Sequence, residues 1–80
     1  MKPNYKIIEI EWKDITFYPG HYEAEDLKKY GLKIEKTIGY LIEENKELIK
    51  IAMTKEKTED DKIADIYVIP KVNIIKKRFV

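Results

Sequence analysis

Few side chains in this sequence have the types and spacing that chemistry requires. His21 is the single imidazole, and neither serine nor cysteine occurs anywhere in the chain. A Ser-His-Asp or Cys-His nucleophile is therefore excluded, as are disulfides and thiolate zinc sites. A threonine nucleophile would need His21 or a lysine as its base. A loop histidine beside Gly20 is more simply a polar surface group. Carboxylates are abundant but loosely spread. Glu43, Glu44 and Glu47 flank one turn, and Glu59-Asp60-Asp61 lie in a charged stretch without EF-hand spacing. Solvation accounts for both groups. Gly20, Gly31 and Gly39 are each isolated, so no glycine-rich phosphate loop exists. The expectation is a non-enzyme with no catalytic set, metal site or cofactor.

Two features could serve binding instead. Trp12, Phe17, Tyr18 and Tyr22 crowd a strand end and the loop after it. Exposed, Trp12 and Tyr18 could stack nucleobases, and such aromatics can also grip a proline-rich peptide. The competing reading is favoured: Trp12 plugs a core, and Phe17 or Tyr22 packs the following helix. The second feature is basic, with Lys71, Lys76, Lys77 and Arg78 in the last ten residues. A phosphate backbone is attracted to such a patch. Against that stand a net charge of only +1 and a single arginine, which limits bidentate recognition. Lysines on an edge strand also guard against aggregation. Nucleic-acid binding therefore ranks second.

These residues must be held by elements that the apolar spacing outlines. Ile8, Ile10 and Trp12 alternate with Glu9, Glu11 and Lys13, the period of a half-buried strand. An aromatic loop with a Pro19-Gly20 turn follows. Glu23 to Tyr30 then reads as a short helix, with Gly31 as its left-handed cap. Lys36 to Glu43 alternates again, and Gly39 marks a bulge or sharp bend. Glu44-Asn45-Lys46 is a polar turn in which Asn45 can accept positive φ. Glu47 to Met53 is the returning arm. Thr54 to Lys62 has no apolar residue and reads as a loop. Ile63 to Ile69 forms a strand that Pro70 ends, residues 70–73 fit one tight helical turn, and Ile74 to Phe79 is the last strand.

Composition bounds the rest. The 80 residues hold 16 Lys+Arg against 15 Asp+Glu, and 44% are hydrophobic, enough for a core rather than a disordered tail. No apolar run is long enough for a membrane span, and the N-terminus lacks the apolar stretch of a signal peptide. A cytoplasmic single domain over residues 1–80 is the expectation. Fifteen lysines and fourteen isoleucines suit either a thermophile protein or an AT-rich genome.

Five short strands are too few for a two-sheet sandwich but can curl into a small barrel, which also protects the sheet edges. The expected fold is mainly β: a five-stranded SH3-like or Sm-like barrel with one short helix after the first strand. The alternative is an α+β sheet packed on that helix. Three stretches bear on this: Ile10-Glu11-Trp12-Lys13-Asp14, Thr37-Ile38-Gly39-Tyr40-Leu41-Ile42-Glu43-Glu44-Asn45, and Ile66-Tyr67-Val68-Ile69-Pro70-Lys71-Val72-Asn73-Ile74. Their W-x-D, T-x-G-x-L and I-P-K elements resemble small uncharacterised proteins of phages and related mobile elements. The resemblance implies the same small barrel and transfers Trp12, Asp14, Thr37, Gly39, Pro70 and Lys71 as structural positions only. It brings no activity. The functional expectation is a binding or assembly module working through protein contacts or self-association, as an accessory protein of a virus or mobile element. The alternative is an RNA- or single-stranded-DNA-binding barrel using Lys71, Lys76, Lys77, Arg78, Trp12 and Tyr18.

Overall fold

The computed structural model describes residues 5–57 and 62–80. The Glu59–Asp61 acidic stretch lies outside the described residues. The fold is mainly β, with strands β1 (Ile7–Asp14), β2 (Lys33–Glu44), β3 (Leu48–Lys55), β4 (Ile63–Pro70) and β5 (Ile74–Phe79). A one-turn helix α1 (Ala24–Leu27) lies between β1 and β2, and a single 3-10 turn, Lys71–Asn73, joins β4 to β5. All pairings are antiparallel, in one sheet of order β4-β3-β2-β1-β5.

Two facts of that order decide the shape. β4 and β5 are the opposite edges of the sheet, yet only three residues connect them. A flat sheet of five strands would hold its edges about 19 Å apart at the usual strand spacing. The sheet must therefore curl to bring the end of β4 near the start of β5. The turn ties that curl down: the Lys71 N–H donates to the Glu47 carbonyl at 2.8 Å, and the Asn73 amide donates to the Lys13 carbonyl at 2.8 Å. Among the described residues no β4–β5 pairing closes the ring, so the sheet is open rather than a hydrogen-bonded barrel.

The concave side holds the core of Ile8, Ile10, Trp12, Ile49, Ile51 and Ile69, with Leu41 and Ile74 against it. Alternation in β1 sends Ile8, Ile10 and Trp12 inward, as their spacing predicts. Gly39 permits the curl. A Cβ there would sit 2.7 Å from the Ala52 carbonyl oxygen, so β3 can approach β2 closely only over a glycine. The register shift expected at Gly39 falls slightly later, between Leu41 and Glu43. The next turn also departs from expectation. Asn45 accepts the N–H groups of Glu47 and Leu48 on its Oδ1, at 2.9 and 3.0 Å, instead of taking positive φ.

The helix is shorter than its periodicity suggests. α1 is one turn with no buried residue, and Gly31 does not adopt the left-handed cap. A single turn is not stable by itself, and this one has no buried face to hold it against the sheet. The α+β alternative, a sheet resting on this helix, is therefore not what forms.

Candidate functional site

The basic C-terminal strand was the main charged feature of the sequence, and β5 divides it. Lys77 lies opposite Ile10 and Arg78 opposite Glu9, so their side chains leave opposite faces of the sheet. Lys77 pairs with Glu44, and Lys71 reaches the same carboxylate at 2.9 Å. Arg78 donates to Glu9 at 2.8 Å, and the Lys36 ammonium stands 3.6 Å from the other Glu9 oxygen. Hydrogen bonds from Arg78 hold the Glu9 carboxyl below the usual range against the opposing effect of desolvation. Hydrogen bonds from Lys77 and Lys71 do the same for Glu44. Lys76 sits opposite Glu11 and has no acidic partner among the described residues. Sequence adjacency therefore does not become one cationic patch: Lys71 and Lys77 share Glu44, which offsets one of their two charges, and Arg78 pairs with Glu9 on the other face.

Beside this cluster is an open pocket of about 280 Å³ lined by Ile49, Lys71, Ile74, Ile75, Lys76 and Lys77. Its floor is apolar and its rim cationic.

The aromatic candidates also separate. Trp12 is buried, its indole N–H donates to Thr37 Oγ1 at 3.0 Å, and Tyr67 meets it edge-on at 6.3 Å. A ring so engaged is not a stacking platform for bases. Tyr18 packs on Tyr30 at 4.8 Å, and its hydroxyl donates to the Gly31 carbonyl. Tyr22 packs on Tyr30 as well, at 5.4 Å. Of the two rings expected to pack the segment after the loop, Phe17 or Tyr22, only Tyr22 makes such a contact, and Phe17 is 84% exposed. His21 is exposed, and no group of three metal-ligating side chains occurs among the described residues.

One feature escaped the sequence reading: the character of β4. Its pairing with β3 leaves the other side open. Ile66, Tyr67 and Val68 are 45%, 44% and 54% exposed, and no cation interrupts the strand. Asp65 adopts φ +59°, a left-handed conformation that aspartate tolerates better than most residues, and its carboxylate accepts the Thr54 hydroxyl at 3.3 Å. The apolar run ended by Pro70 marked the strand, but only the strand order shows that it is an edge.

No protein-family model, curated protein or solved structure matches this chain. Function therefore rests on the geometry of these residues. Of the described surfaces, β5 carries cations paired with glutamates except at Lys76, and β4 leaves Ile66, Tyr67 and Val68 about half exposed along an unpaired edge.

Proposed function

We propose that this chain is a non-catalytic binding or assembly module that acts through protein contacts, self-association among them. The β4 edge carries this reading. Soluble proteins blunt exposed sheet edges with lysine, proline, bulges or a covering element. β4 has a kink at Asp65 and a proline at its end, but the stretch between them is apolar and uncovered. Such a strand is suited to accept another strand, because unpaired backbone groups supply affinity and exposed side chains supply selectivity.

The curl that lets a three-residue turn join opposite edges supports an SH3-like or Sm-like barrel as the underlying architecture. A small module of this kind suits an accessory protein of a virus or mobile element. The nucleic-acid reading draws less support, since three of its four cations are already paired with Glu44 or Glu9 and Trp12 is buried.

Sedimentation velocity from low micromolar to near-millimolar protein tests the reading. The weight-average mass is expected to rise with concentration, and a monomer across the whole range removes self-association. Titration of labelled single-stranded RNA and DNA at two salt concentrations tests the rival. Phosphate-driven binding must strengthen at low salt, and no binding is expected at either.

A further inference from the structure

We infer that the partner of β4 is β4 of a second copy, paired antiparallel across a two-fold axis at Tyr67. This rests on the assembly reading above and names the surface and the occupant.

The backbone phase of the edge comes first. Antiparallel ladders alternate between residues whose N–H and C=O face the partner strand and residues whose groups face away. The Lys71 N–H donates to Glu47, in the same register that pairs Ile69 with Ile49 and Tyr67 with Ile51. Lys71, Ile69 and Tyr67 therefore direct their backbone groups toward β3. Ile66 and Val68 direct theirs outward to the open edge. These two residues flank Tyr67 symmetrically. A two-fold axis at Tyr67 sets Ile66 against Val68 of the second copy, and Val68 against its Ile66, so every outward N–H meets an outward carbonyl.

Side chains and charge agree with that register. Ile66 and Val68 share one face of the strand and would meet each other across the axis, whereas the two Tyr67 rings would meet on the other face. Asp65 falls opposite Ile69, so no like charges confront one another. The kinked backbone at Asp65 and the missing N–H of Pro70 bound the free stretch at both ends. That limit suits a closed dimer rather than an extending ladder.

β5 is a poorer partner for either edge. The Val80 N–H donates to the Ile7 carbonyl at 2.9 Å, in register with Arg78 opposite Glu9, so Lys77 and Phe79 face the open side. Pairing β5 with itself brings Lys76, Lys77 and Arg78 of two copies together. Pairing it with β4 sets this charged strand beside Ile66, Tyr67 and Val68.

The outward phase supplies the test, read by sedimentation velocity with circular dichroism as the check on folding. Val68→Pro removes an N–H that faces away from β3, so it should abolish the dimer while leaving the monomer folded. Ile66→Lys should also give a monomer, and it decides the matter if the proline variant fails to fold. Phe79→Pro removes an outward N–H of β5 and should leave the dimer intact. The chain has no cysteine, so Tyr67→Cys should yield a disulfide-linked homodimer under mild oxidation. If Ile66→Lys associates as the parent does, or if Phe79→Pro is the variant that dissociates, the β4–β4 contact is wrong and the assembly reading stands. A parent chain that never associates overturns the β4–β4 contact together with the self-association part of that reading.

Discussion

The curled sheet and the arm between β1 and β2 have similar apolar content but opposite fates. In the sheet, Ile8, Ile10, Ile49, Ile51 and Ile69 are fully enclosed. In the arm, residues 15–32, no side chain is buried, and Ile15 and Phe17 are more than four-fifths exposed. Burial needs a second layer, and only the curl supplies one. The arm buries no side chain, and Tyr18 and Tyr22 pack on Tyr30 and donate their hydroxyls to the nearby carbonyls of Gly31 and Pro19. The molecule extends 57 Å along its longest axis and has a radius of gyration of 16.4 Å. A compact chain of this length would have about 12 Å.

Substitutions should separate the two regions sharply. Ile51→Ala deletes an enclosed side chain between β2 and β4, and a loss of about 2–5 kcal/mol is expected in chemical denaturation. If Ile51 instead behaved like an arm residue, the contrast would collapse. Gly39→Ala should cost about 1–3 kcal/mol, because its methyl meets backbone rather than a movable side chain. An unchanged midpoint would show that the curl does not depend on that close approach.

Acid should act on the sheet through Glu9 and Glu44. Both are held below their ordinary value of 4.5 by cationic partners. Below that value the unfolded chain takes up protons first, so stability there rises with pH. The contribution is full above the ordinary value and is lost as pH falls through the lowered folded value. Denaturation midpoints at neutral and acid pH should therefore diverge, and Glu9→Gln should lessen the slope. Smallest of all, Phe17→Ser in the arm should change stability by no more than about 0.5 kcal/mol. A larger loss, measured by thermal melting of dilute protein, would mean that Phe17 is covered in solution.

The sequence was most legible where neighbours along the chain decide the outcome. The spacing of Ile8, Ile10 and Trp12 marked β1 and its buried face, and Pro70 marked the end of β4 and the turn before β5. It was misleading where local pattern met no tertiary support. Ala24, Leu27 and Tyr30 have helical spacing, yet the helix stops after one turn and buries none of its residues. Lys71, Lys76, Lys77 and Arg78 looked like one site, but their partners, Glu44 and Glu9, come from distant strands.

By itself, then, the sequence determined which segments become strands, which residues of β1 enter the core, and which chemistries lack their reagents. Those properties follow from side-chain type and from a period of two, both of them local. Only the tertiary structure decided that β4 and β5 are edges, that Lys71, Lys77 and Arg78 pair with Glu44 and Glu9, and that Ile66, Tyr67 and Val68 lie exposed along one of those edges. Each depends on strand order, which is set by contacts between residues far apart in the chain.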